Sequence, residues 1–354
     1  MERRTFLTAI ASFGGALATP GGGFSFAQEG SAAAVKPIMG SWFEFQHHSL
    51  PEGVYWNPAC EAFTCGQWSG KVREIAELGM EYLVLMCTAL RFKAFFDTRI
   101  FPKFELACDD PIETVLSAAD DRGVKFFMGG GFYGDWASGH IITDPEASRK
   151  RLEAIEELTI RYGHHKSFYG WYWPNEAFIN RYYGEEFINY VNTCSRLARS
   201  LMPKTRVLIA PYGTRVAVPD DTYVRQIERL DVDIIAYQDE VGVLKSKPEE
   251  TPAFYEGLRK AHDRVPQRKL WADVEVFEFE GKVYRSALLP APFERVEKQL
   301  AAVSPYVDTI LIYQYQGLMN RPGSKAFAGH ESSMRLYTDY VAWLRKNHPN
   351  MIHT

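Results

Sequence analysis

The sequence predicts an α/β protein built as a single (β/α)8 TIM barrel. Eight short apolar segments, rich in aromatic and β-branched residues, recur along the chain. Each is followed by turn residues and then by a stretch whose apolar positions repeat with helical spacing. The alternation also runs to the end without the break that marks a reversal of winding in an open doubly wound sheet, which usually has fewer strands.

The strands and their helices follow in order. Strand 38–45 precedes helix 71–78, strand 82–88 precedes helix 112–121, and strand 124–130 precedes helix 145–162. Strand 168–173 is paired with helix 185–201, 206–211 with 221–230, and 232–238 with 251–262. The series closes with strand 269–275 and helix 292–303, then strand 309–314 and helix 332–346. Asp144 ahead of Pro145 is a strong helix start, because the carboxylate can accept from first-turn N–H groups and proline at the first helical position has no N–H to satisfy. Asp220 and Ser332 are expected to cap likewise. Two long connections, 94–110 after the second strand and 281–291 after the seventh, fall on the face where barrels build their sites.

The N-terminus reads as an export signal. Arg3-Arg4-Thr5-Phe6-Leu7 is a twin-arginine start, followed by a small-residue apolar run from Ala9 to Ala18. That run falls short of the roughly 20 residues needed to span a bilayer and is broken by Gly14-Gly15 and Pro20-Gly21. Cleavage fits after Ser25-Phe26-Ala27, which makes 1–27 the signal, 28–35 a linker and 36–354 the barrel. A periplasmic or secreted location follows, with the twin-arginine export machinery as a transient partner and no stable membrane insertion after cleavage. A formal net charge of −4 and dispersed Lys and Arg argue against a nucleic-acid partner. Of the five cysteines, Cys60 and Cys65 are near enough in sequence for a local disulfide, whereas Cys87 and Cys194 read as buried thiols.

In such a barrel the residues just past each strand's core carry the function. The fourth strand ends Gly170-Trp171-Tyr172-Trp173-Pro174-Asn175-Glu176. A glycosidic oxygen is a poor leaving group, so a carboxylic acid with a raised pKa must protonate it as the bond breaks, and Glu176 suits that role. Asn175 is expected to donate to the sugar 2-hydroxyl, and Trp171 and Trp173 to offer stacking faces. On the seventh strand, period-two alternation puts Trp271, Asp273 and Glu275 on one face. If that face points inward, Glu275 reaches the mouth as nucleophile or charge stabiliser, with Asp273 tuning it from one layer below. Glu44 and His47 after the first strand, Tyr212 after the fifth, Tyr237 and Asp239 on the sixth, and Tyr315 and Gln316 after the eighth complete the expected carbohydrate-binding set.

An Asn-Glu at the end of the fourth strand and a Glu at the end of the seventh resemble the large glycoside-hydrolase clan of (β/α)8 retaining enzymes, over nearly the whole predicted mature chain. More narrowly, Gly40-Ser41-Trp42-Phe43, Gly170-Trp171-Tyr172 and the segment from Ala272 to Glu278 resemble an uncharacterised bacterial family of hydrolase-like barrels, a domain of unknown function. The resemblance implies Glu176 as acid/base and Glu275 as nucleophile, with retention of configuration if the carboxyls lie ~5 Å apart. Two departures stand out: proline precedes Asn175 where the clan often has it after the glutamate, and Glu278 and Glu280 offer competing carboxylates. A non-catalytic carbohydrate-binding barrel is the alternative.

No cofactor or metal is expected. Adjacent His47 and His48 cannot both face inward from a strand, and no spaced histidine pair supplies a ligand motif. Residues 129–134 match G-x-G-x-x-G, but they follow the third strand rather than the first and lead into a loop instead of a helix.

Overall fold

The computed structural model describes residues 34–352. The predicted signal at 1–27 and most of the linker at 28–35 lie outside them. Eight parallel strands form a closed barrel: β1 (Gly40–Phe43), β2 (Tyr82–Leu85), β3 (Lys125–Gly129), β4 (Phe168–Tyr172), β5 (Arg206–Ile209), β6 (Ile234–Gln238), β7 (Lys269–Glu275) and β8 (Thr309–Tyr313). Each pairs with its neighbours in sequence, and the circle closes at Gly40, which lies opposite Tyr82 of β2 and Leu311 of β8. A Cβ on Gly40 would lie 2.5 Å from the Tyr82 carbonyl oxygen, so glycine permits this close approach of strands. All eight predicted strands are present, each trimmed by a few residues at most.

Nine helices surround the strands among the described residues: α1 (Asn57–Ala62), α2 (Cys65–Glu77), α3 (Pro111–Arg122), α4 (Pro145–Tyr162), α5 (Glu185–Leu201), α6 (Asp221–Arg229), α7 (Thr251–His262), α8 (Phe293–Val303) and α9 (Ser333–Asn347). The cap chemistry is largely as expected. Asp144 accepts from the Ala147 N–H at 2.6 Å, and Asp220 accepts from Thr222 and Tyr223. Ser332 does not cap α9; its hydroxyl lies 2.8 Å from His330 Nδ1 instead. Helix α2 begins six residues before the predicted 71, because Thr64 and Gln67 form a reciprocal capping box. No helix among the described residues is long and apolar enough to cross a membrane.

The long connections carry structure that alternation did not reveal. Residues Ala89–Leu90 pair with Lys93–Ala94, and Phe277–Phe279 pair with Leu288–Pro290, so part of 281–291 is a hairpin strand rather than loop. Cys65 at the start of α2 is joined to Cys108, not to Cys60. Cys60 is turned inward on α1, where its sulfur meets the Gln316 side-chain amide at 2.8 Å, while Cys65 is exposed and faces the loop after β2. Cys87 and Cys194 are buried thiols.

The glycines at 129–131 serve packing. A Cβ at Gly130 would meet the Trp173 ring at 2.8 Å, and Gly131, at φ +79°, lies against Tyr133 and Thr88. The next helix, α4, starts only at Pro145.

Candidate active site

Strand parity decides what reaches the barrel mouth. On β7 the face carrying Trp271, Asp273 and Glu275 points inward: Trp271 packs inside the barrel against Tyr82, with ring centroids 4.8 Å apart, and Asp273 and Glu275 follow it along the strand. On β4 the inward residue is Tyr172, whose ring meets Trp42 edge-on at 5.7 Å. Trp171 and Trp173 are therefore outward; they stack on each other, and the Trp173 indole donates to Ser195 of α5 at 3.0 Å. Neither tryptophan offers its face to the mouth, contrary to expectation.

Four further assignments change as well, Tyr237 by strand parity and three others beyond the strand ends. Tyr237 points outward, its hydroxyl 2.9 Å from Tyr223 and 3.0 Å from His262, while its neighbour Gln238 faces in. Tyr315 lies toward α2, with Lys71 over its ring, and Gln316 is held by Cys60. Asn175, in a bend past the end of β4, also diverges from its neighbour Glu176: its amide donates to Tyr190 of α5 at 3.1 Å.

Glu176 sits at the mouth, partly exposed. Its Oε1 accepts from the Tyr172 hydroxyl and its Oε2 from the Gln238 amide, both at 2.8 Å. Burial against the barrel wall outweighs these hydrogen bonds and raises its pKa to about 7. Glu275 is 4% exposed, and its Oε2 accepts from the Val243 N–H at 2.8 Å. Asp239 lies behind it, accepting from the Glu275 and Val241 N–H groups and from the Gln299 amide at 2.7 Å. Burial pushes both carboxyls up, and the charge of Asp239 pushes Glu275 up further. Asp239 thus positions Glu275 rather than facing the mouth.

Asp273 links the two ends of the site. It is 3% exposed, its Oδ1 has no hydrogen-bond partner, and burial together with the charges of Glu275, Glu176 and Asp239 drives its pKa far above the usual carboxylate range. Gln238, which bonds Glu176, lies opposite Asp273 on the strand that carries Glu275, so Glu176 and Glu275 face one interior. The positive charge of Lys245 lowers the pKa of both Glu176 and Glu275. Its amino group lies 5.0 Å from the Tyr212 ring, 5.7 Å from that of Tyr284 and 3.5 Å from the buried Glu240. Tyr212 in turn stacks on the exposed Phe178. Of the competing carboxylates, Glu280 is exposed and accepts from Tyr55.

Glu44 and His47 form a buried charge pair beside this centre. Glu44 accepts from Trp56 Nε1 at 2.9 Å, Gln314 Nε2 at 2.8 Å and the Tyr313 hydroxyl at 3.2 Å, and its Oε1 is 3.0 Å from His47 Nδ1. Burial alone would raise Glu44, but the His47 charge and these bonds hold it at about 2. Burial would lower His47, but Glu44 and Glu52 raise it to about 9. The Glu44 carboxylate is thus engaged by four side chains.

Sequence reasoning missed Tyr172 and Lys245. For Tyr172 a signal existed: it alternates with Trp171 and Trp173, which face the helices. Tyr313 lies directly opposite Glu275 on the neighbouring strand. Lys245 lay in a loop without periodicity.

The family model described as a domain of unknown function, DUF4434, matches residues 38–326. The chain belongs to this family. No curated protein matches the sequence. Among solved structures, a proposed α-L-fucosidase from Bacteroides thetaiotaomicron superposes with a TM-score of 0.71 at 17% identity, over 92% of this chain and 98% of that one. The endo-1,4-β-mannanase of Rhizomucor miehei gives 0.53 at 9% identity, over 88% and 95%. An FMN-binding β-glucuronidase from Facaelibacterium prausnitzii gives 0.51 at 14% identity, over 87% of this chain and 44% of that one. At these identities the likeness is one of fold: a glycoside-hydrolase-like TIM barrel.

Proposed function

We propose that this protein is an exported glycoside hydrolase acting on an oligo- or polysaccharide, with Glu176 as general acid/base and Glu275 as nucleophile. The observation that carries the reading is the partly dry Glu176, raised to about 7 and hydrogen-bonded to Tyr172 and Gln238, facing the same interior as Glu275. A carboxylic acid that keeps its proton near neutrality can protonate a departing sugar oxygen, which an ordinary surface glutamate cannot do efficiently. Glu275, oriented by the Val243 amide and by Asp239, attacks the anomeric carbon once ionised; water then releases the sugar, and configuration is retained. The fold neighbours that act on sugars support this reading, and the Arg3-Arg4 start supports a periplasmic or secreted location.

One observation favours a second reading. Glu275 is 4% exposed and already engaged by a backbone amide, as suits a barrel that binds carbohydrate without cleaving it. A sugar-release screen of the purified chain against bacterial and plant polysaccharides, run beside Glu176→Gln, separates the two. For the hydrolase, Glu176→Gln should slow substrates with poor leaving groups by about 100- to 10,000-fold while sparing glycosylation by activated aryl glycosides. Equal loss on both substrate types would contradict the acid role, and sugar binding without release by either protein would favour the binding barrel.

A further inference from the structure

We propose that Glu113, His164 and His165 bind a zinc-class transition-metal dication on the outside of the barrel, clipping α3 to the turn that leads from α4 into β4. One ligand atom from each residue lies within 4.8 Å of the others. The site is separate from the mouth: His165 comes three residues before β4 begins, whereas Glu176 comes four residues after it ends.

The second observation is how His165 is held. Its side chain is 5% exposed, and its Nδ1 lies 2.7 Å from Asp120 Oδ2. A carboxylate on Nδ1 holds a proton there, as in the carboxylate–histidine–metal arrangement, so a metal has only to displace the proton shared between the other nitrogen and its carboxylate. That other nitrogen, Nε2, is 3.1 Å from Glu113 Oε2. Tetrahedral bonds of ~2.1 Å set ligand atoms ~3.4 Å apart, so a metal entering between them requires only a small separation. Glu113 is itself oriented, its Oε1 accepting from the Ser117 hydroxyl at 3.0 Å.

His164 supplies the third ligand. Its ring is exposed and lies 4.2 Å from that of His165, with one ring nitrogen within 4.8 Å of the other two ligand atoms. Two imidazole nitrogens and one carboxylate suit zinc or copper and disfavour calcium or magnesium, which take oxygen. Water completes the fourth position, so the site is open and exchangeable. Sequence spacing does not announce it, because the histidines are adjacent and Glu113 is 52 residues from His165.

The test is calorimetric titration of ZnCl2 into the untagged, chelator-treated full chain, with thermal melting alongside. The parent should bind one equivalent with micromolar affinity and melt at higher temperature with zinc, whereas CaCl2 should do neither. His164→Ala, at an exposed position, and Glu113→Gln should each weaken zinc binding by about 10-fold or more and remove the melting shift. Absence of saturable zinc binding by the parent overturns the proposal. So does binding that both variants retain, since the ion would then sit elsewhere.

Discussion

Glu44 and His47 show what a buried pair does at single-residue resolution. Each is about 1% exposed, and neither charge would survive there without the other. Replacing His47 with Gln strands the Glu44 charge and should cost about 3–5 kcal/mol in urea denaturation. The pH dependence has a definite sign. His47 is raised from 6.5 to about 9, so its contribution is fully present below pH 6.5 and is lost as pH rises through about 9. Glu44 is lowered from 4.5 to about 2, so its contribution is present above pH 4.5 and fades as pH falls through about 2. The two shifts describe one interaction and are not summed. The parent should lose about 3 kcal/mol between pH 6.5 and 10 that His47→Gln does not lose; parallel profiles for the two proteins would refute the pairing.

At the scale of elements, the helices were legible because their punctuation is chemical. Asp144-Pro145 and Asp220 announce their helices, and α4, α5 and α7 have the predicted bounds. Hairpins inside the long connections were not legible, since two- and three-residue strands are too short to show alternation. The disulfide belongs here too. Cys60 is nearer Cys65 in sequence, yet α1 turns it inward to Gln316, whereas Cys108 is brought up by the loop after β2. Closing a loop of 43 residues restricts the unfolded chain, so reduction, or the Cys65→Ala/Cys108→Ala double variant, should lower stability by about 2–4 kcal/mol in denaturant titrations. No change on reduction would show that the bridge does not form.

At the scale of the whole molecule, the mouth is a meeting of distant segments: Glu44 after β1, Glu176 after β4, Gln238 on β6, Glu275 on β7 and Tyr313 on β8. Its ionisation is collective, so activity should follow a bell-shaped pH profile centred near neutrality. Glu275 is raised to about 8, above Glu176 at about 7, so the active form, with Glu176 protonated and Glu275 ionised, is a minority that peaks between those values, and the two limbs belong to the pair rather than to either carboxyl. A flat kcat/KM between pH 5 and 9 on an unactivated substrate would contradict the two-carboxylate reading.

Periodicity, punctuation and strand-end chemistry in the amino-acid order determined the eight βα units, most helix starts and the candidacy of Glu176 and Glu275. Those signals are local: an apolar repeat or a cap is complete within a dozen residues. Period-two alternation also showed which residues share a strand face, but not which face turns inward. That choice depends on how all eight strands close around one interior. It exchanged Trp173 for Tyr172 and Tyr237 for Gln238, while bends beyond the strand ends turn Tyr315 toward α2 and Asn175 toward Tyr190. Only the closed barrel decides it, because a side chain's neighbours across the interior lie tens to hundreds of residues away in the chain.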